Sequence, residues 1–96
     1  MAEPAVAPAA DGPGAVRVTV RLFAGARAAA GTSQTVVDVP DGATLAAVLE
    51  QLVAVHPGVA RVLPACSFLL DGVAARPPQP LGGGRTVDVL PPFSGG

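Results

Sequence analysis

Residues 16 to 23 read VRVTVRLF, a strict alternation with Val16, Val18, Val20 and Leu22 on one side and Arg17, Thr19, Arg21 and Phe23 on the other. A period of two held this long marks a half-buried strand, and valines at most of the inward positions reinforce it. Such a strand needs partner strands beside it and a second layer over its apolar side. The rest of the sequence supplies both. AGARAAAG follows, its alanines permitting about one helical turn before Gly31 ends it, and TVVDV at 35–39 predicts a second strand. Pro40, Asp41 and Gly42 then turn the chain, with Gly42 free to take positive φ. Thr44 is placed as the N-cap of a helix to about Val55, with Leu45, Val48, Leu49, Leu52 and Val55 on one stripe and Ala47, Glu50, Gln51 and Ala54 facing away. His56-Pro57-Gly58 stops that helix, and VARVL at 59–63 predicts one further turn.

SFLL and VAA flank Asp71-Gly72, the dipeptide that a tight primed hairpin turn prefers. After the Pro/Gly-rich stretch RPPQPLGGG, the run RTVDVL at 85–90 alternates again, with Val87 and Val89 inward and Thr86, Asp88 and Leu90 outward. One amphipathic helix over one face of a mixed sheet of four to five strands buries both apolar faces economically. The expected class is therefore α+β: a roll over residues 16–90, preceded by an Ala/Pro-rich leader (1–15) read as disordered and followed by an extended tail (91–96).

Composition removes several functions. Six arginines stand against seven acids with no basic cluster, which argues against nucleic-acid binding through an electrostatic stripe. No apolar run is long enough for a membrane span, and no basic start with an apolar block marks a secretory signal, so a cytoplasmic protein is expected. Cys66 is the single cysteine; one thiol makes no internal disulfide and too small a ligand set for zinc, so no metal is expected. His56 sits at a helix end before a proline, where a structural role outweighs a catalytic one. Cys66 has no neighbouring Lys, Arg or His to activate it and reads as a spectator. The triple glycine at 82–84 is followed by Arg85 and a strand rather than by Lys-Ser/Thr and a helix, so it is read as a flexible turn and not a phosphate loop. Nothing assembles a nucleophile, a base and an oxyanion site. The domain alone is read as non-enzymatic.

The informative segment is LPPFSGG at 90–96. Pro91 and Pro92 cannot donate to a strand ladder, so the strand ends at Leu90 and the chain leaves extended. Six extended residues reach roughly 20 Å. Gly95 and Gly96 lack Cβ atoms and can thread a slot too narrow for any side chain. The ionisable group at the tip is the α-carboxylate, anionic at neutral pH. Pro91, Pro92, Phe93, Ser94 and Gly95 thus form a slim spacer that presents the Gly96 carboxylate to another protein's active site.

Three segments, VRLFAGARAAAG, PDGATLAAVLEQL and VDVLPPFSGG, resemble the MoaD/ThiS family of ubiquitin-like sulfur carriers, over residues 16–96. The ending PPFSGG and a core of about 80 residues look most like the small subunit of molybdopterin synthase. One departure is Gly84-Arg85 before the last strand, where the family usually carries Gly-Asp.

The resemblance implies a β-grasp fold. It also implies that a partner of the ubiquitin-activating type uses ATP to adenylate Gly96, that sulfur replaces AMP to give a thiocarboxylate (a 1-thioglycine), and that the large synthase subunit receives the tail. No bound cofactor is implied. A carrier for cysteine, thiamine or another sulfur metabolite, and a protein modifier joined to target lysines, remain alternatives. For partner docking, the sheet face away from the helix offers Phe23 and Leu90, beside Phe93, as an apolar patch rimmed by Arg17 and Arg21; the alternative is that Phe23 folds over the sheet edge as a satellite of the core.

Overall fold

The computed structural model describes residues 15–92. Five strands form one mixed sheet: β1 (Ala15–Leu22), β2 (Gln34–Pro40), β3 (Ser67–Leu70), β4 (Val73–Ala75) and β5 (Thr86–Leu90), in the order β2-β1-β5-β3-β4. β1 and β5 run parallel at the centre, and every other pairing is antiparallel. Two helices, α1 (Ala24–Ala30) and α2 (Leu45–Val55), and two short 3-10 turns (Pro57–Arg61, Leu63–Ala65) complete the chain. This is the expected β-grasp roll, with α2 as the main helix over one face.

The alternation of β1 translates directly into layers. Val16, Val18, Val20 and Leu22 are buried and meet Val37, Val39, Val87, Val89 and Phe68 from the neighbouring strands. Leu45, Val48 and Leu52 of α2 and Val59 of the following turn close over them. Burying a Val or Leu side chain removes roughly 1.5–3 kcal/mol of unfavourable hydration, so this single cluster is what holds a domain of this size together.

Two details differ from the sequence expectation. Val55 is 54% exposed. At about 100° per residue it lies about 20° from Val48, on the same side of the helix as the stripe, and its exposure comes with its place as the last residue of α2. α1 is longer than the single turn expected, with Gly31 at φ 78 closing it through an N–H donated to Arg27 O at 2.9 Å.

The loop 76–84 packs against the start of α2. Thr44 occupies the N-cap position of α2 without a side-chain cap bond; the amides of Leu45 and Ala46 donate instead to Gln79 O (2.9 Å) and Pro77 O (2.8 Å). Carbonyls of the Pro-rich loop therefore satisfy donors that a helix start leaves open. Buried Leu81 pins the loop from below, its amide donating to Ala43 O at 3.0 Å.

The hairpin joining β3 and β4 turns on Asp71 (φ 49) and Gly72 (φ 84), the paired left-handed geometry of a primed turn. The Asp71 carboxylate also accepts hydrogen bonds at Oδ1 from the backbone N–H groups of Arg85 (3.1 Å) and Thr86 (3.0 Å). It thereby ties the hairpin to the start of β5. Asp71→Ala loses both bonds and puts a Cβ residue with no side-chain compensation at positive φ, at a cost of about 2 kcal/mol. Asp71→Asn keeps an acceptor and tolerates that φ, and should cost well under half as much. Urea denaturation of the two variants measures the contrast; equal losses would show that the two amides do not depend on this acceptor.

Candidate docking face and the root of the tail

The parallel pairing of β1 and β5 brings their C-terminal ends side by side. Leu22 pairs with Val89, the Phe23 amide donates to Val89 O (3.3 Å), and Leu90 pairs across to Ser67. Phe23 and Leu90 therefore occupy one row at the sheet end from which Pro91 and Pro92 leave. Phe23 is 40% exposed and Leu90 half-buried, as members of the face away from α2. Ala24, immediately after Phe23, holds φ 48, a left-handed conformation that costs a residue with a Cβ about 1–2 kcal/mol. That turn directs the chain off the strand end while Phe23 keeps its place on the open face.

Pro91 is half-buried and Pro92 exposed. Phe93, Ser94, Gly95 and Gly96, the remainder of the tail reading, lie outside the described residues.

Leu69 was not singled out in the sequence. The core takes Phe68, so Leu69 must face the open side, where it pairs with Asp88 on one flank and Ala74 on the other. A four-residue strand is too short to reveal its own phase; the buried aromatic next to it was the available signal. Val36, opposite Thr19 and 46% exposed, adds another apolar position on the same side.

The two arginines behave differently from a simple rim. Arg17 pairs with Asp38 on the adjacent strand, Nε to Oδ1 at 3.0 Å, with side-chain exposures of 69% and 20%. Arg21 forms a two-pronged ion pair with Asp88, Nε to Oδ1 at 2.7 Å and Nη2 to Oδ2 at 2.9 Å. The Asp88 side chain is only 7% exposed while that of Arg21 is 50% exposed. The outward direction assigned to Asp88 is right, but the side chain is buried: Arg21 lies over it, and its guanidinium carbon sits 5.9 Å from the centre of the Phe23 ring. The hydrogen bond to Asp88, and then its charge, push the Arg21 guanidinium pKa above its already high value. The face thus carries one buried carboxylate, Asp88, and one half-buried, Asp38, each paired with a more exposed guanidinium.

The remaining polar candidates are structural. Cys66 donates its thiol to Val62 O at 3.1 Å, and burial pushes its pKa up, away from the reactive thiolate. The amide of His56 closes α2 on Leu52 O at 2.7 Å, and its carbonyl accepts from Val59 at 3.1 Å. A groove of about 470 Å³ near the sheet end, lined in part by Cys66, Phe68, Arg76 and Gln79, brings no base to that thiol. Among the described residues no three His, Cys, Asp or Glu side chains converge as a metal set, and no helix is long and apolar enough to cross a membrane.

Comparison with known proteins follows the same lines. A curated relative, the molybdopterin synthase sulfur carrier subunit of Chlamydomonas reinhardtii, is 34% identical over 83 residues, covering 84% of this chain and 100% of the relative. SAMP1 from Haloferax volcanii superposes with a TM-score of 0.75 at 31% identity, over 83% of this chain and 99% of that one. The small archaeal modifier protein 1 of Methanosarcina acetivorans gives a TM-score of 0.71 at 26% identity, covering 85% and 98%. The ThiS family model matches residues 20–96, from inside β1 through the terminal diglycine, and the chain belongs to that family.

Proposed function

We propose that this protein is a cytoplasmic sulfur carrier, not catalytic by itself, that delivers sulfur as a thiocarboxylate on Gly96 during molybdopterin synthesis. The observation that carries the reading is the ending PPFSGG, placed directly after the central strand β5 and included in the family match. A carboxylate is a poor acyl donor at neutral pH. In the proposed sequence, one Gly96 oxygen attacks the α-phosphorus of ATP in a ubiquitin-activating-type partner and expels pyrophosphate. The terminal sulfur of a persulfide donor then attacks the acyl carbon and expels AMP. A second thiol reduces the acyl disulfide, leaving the thiocarboxylate on Gly96 and a disulfide on the donor.

The sulfur so carried is a soft anionic nucleophile suited to attack on an electrophilic carbon. Acid–base groups for that transfer belong to the large subunit of molybdopterin synthase, into which Phe93–Gly96 would insert. The open face, with Phe23, Leu69 and Leu90 near the exit of Pro91 and Pro92, supplies the apolar surface on which each partner would seat the domain. Arg17 and Arg21 supply its polar contacts.

A second reading has a specific motive, because two of the structural relatives are named as modifiers. An acyl-adenylate on Gly96 captured by a lysine amine would give an isopeptide instead. Incubation with ATP, the activating enzyme and cell extract, blotted through an N-terminal tag, separates them. The carrier reading predicts a single unconjugated species whether or not a sulfur donor is present. A ladder of heavier adducts that disappears when Gly96 is removed would replace it with the modifier reading.

A further inference from the structure

The open face is not uniformly apolar. Its middle is occupied by the Arg21–Asp88 pair, flanked by Phe23, Leu69 and Leu90. Asp88 uses Nε and one Nη2 hydrogen of the guanidinium, and Arg21 reaches it across two strands that are 67 residues apart in the chain. The Nη1 group of Arg21 makes no hydrogen bond within the described residues, and the Arg21 side chain is half exposed. A partner that covers this face must dehydrate those donors, and burying a charged donor without an acceptor is costly. A wholly apolar partner surface, which the phenylalanine and leucines alone would favour, is therefore penalised here.

We infer that Arg21, held outward by Asp88, is a specificity residue of the docking face, and that the cognate partner sets a carboxylate against its free Nη1 edge. This deepens the carrier reading and rests on it. The charge distribution argues for a carboxylate: the Asp88 side chain is 7% exposed while that of Arg21 stands out at 50%. An approaching surface meets positive charge first. An Arg carboxylate contact on the outer edge would complete a guanidinium sandwiched between two acids, with the Phe23 ring beneath fixing its plane. Because the inner carboxylate comes from this chain, Lys at position 21 cannot reproduce the arrangement: one ammonium does not present two opposed edges.

The test uses the full-length chain and the ubiquitin-activating-type enzyme and large synthase subunit encoded by the same genome. Affinities are measured for wild type, Phe23→Ser, Arg21→Lys and the double variant Arg21→Leu/Asp88→Val, each at low and moderate salt. The double variant removes both charges together and so leaves no buried ion unpaired; its fold is checked by thermal melting, with a midpoint at or above that of wild type expected. The inference predicts that the double variant binds at least one partner about tenfold or more weakly, with a flatter salt dependence, and that Arg21→Lys recovers little of the loss. Wild-type affinity and salt slope in the double variant, with binding weakened by Phe23→Ser, would overturn the inference and leave the carrier reading standing. Absence of wild-type binding to either enzyme would overturn the carrier reading, and this inference with it.

Discussion

Appending one phenylalanine after Gly96 lowers thiocarboxylate formation by at least about 100-fold, with no change in the thermal midpoint. The extension converts the Gly96 carboxylate into an amide carbonyl, which cannot attack phosphorus. It also moves the free carboxylate outward by about 3.5 Å and adds a side chain where two glycines had none. The core does not sense this, because it is closed among residues between Val16 and Val89. Removing Gly96 tests the complementary dimension: the tip remains slim, but the carboxylate falls short by the same distance. Both variants should fail in the adenylation step itself, read as pyrophosphate release. If the phenylalanine variant were adenylated and thiocarboxylated at the wild-type rate, access of a slender terminus to a foreign active site would not be the basis of function.

The second large effect is a separation of binding from stability between two apolar residues. Leu52→Ala removes a side chain with no exposed surface from the centre of α2, and costs about 2–5 kcal/mol. Against a total of about 5–15 kcal/mol for a typical domain, that is enough to leave a small one partly unfolded at growth temperature. Phe23→Ser acts on a ring already 40% exposed and should cost about 1 kcal/mol or less, in keeping with a partly solvated contact. Its effect falls on the partner: affinity drops by about 30-fold or more, the size of losing an aromatic anchor from an interface. Denaturant melts and equilibrium binding on the same preparations decide the point. A collapse of stability in Phe23→Ser would make the ring a satellite of the core and remove it from the docking face.

Much of this architecture could be read from local pattern. The alternation of residues 16–23 defined both faces of β1, the spacing of Leu45, Val48 and Leu52 defined the buried stripe of α2, and Asp71-Gly72 marked the hairpin. Each signal lies within a few residues, where strand and helix periods operate. What was not legible depends on distant parts of the chain. The loop 76–84 was visible as a loop from its Pro and Gly, but not that its carbonyls at Pro77 and Gln79 serve the first amides of α2; nothing local distinguishes a carbonyl that caps a helix from one that faces water. Asp88 was correctly placed on the outer face, but its burial required knowing that β5 lies parallel beside β1, so that Arg21 could reach it. Leu69 was missed because a four-residue strand does not fix its own phase. The apolar patch at the root of the tail was half visible through Phe23 and Leu90; its charged centre was visible only in three dimensions.

On the proposed function, a carrier of this size serves two enzymes in turn, and the shape of the face supplies a reason. Among the described residues the sheet face away from α2 leaves Phe23 and Val36 exposed, and β5 runs along its middle to Pro91 and Pro92. Any enzyme that grips the face also receives the tail in a fixed direction, since Pro91 and Pro92 restrict how the chain can leave. Sequential use by an activating enzyme and an acceptor enzyme then follows from exchange on a shared surface, with sulfur loading as the event that distinguishes the two visits.

The most direct test of the account is the mass of the protein after incubation with ATP, the activating enzyme and a persulfide donor. The account predicts a gain equal to the replacement of one oxygen by sulfur, dependent on ATP and located by peptide mapping on the fragment ending in Gly96. Sulfur found instead on Cys66, or a terminal fragment of unchanged mass while the rest of the pathway turns over, would contradict it.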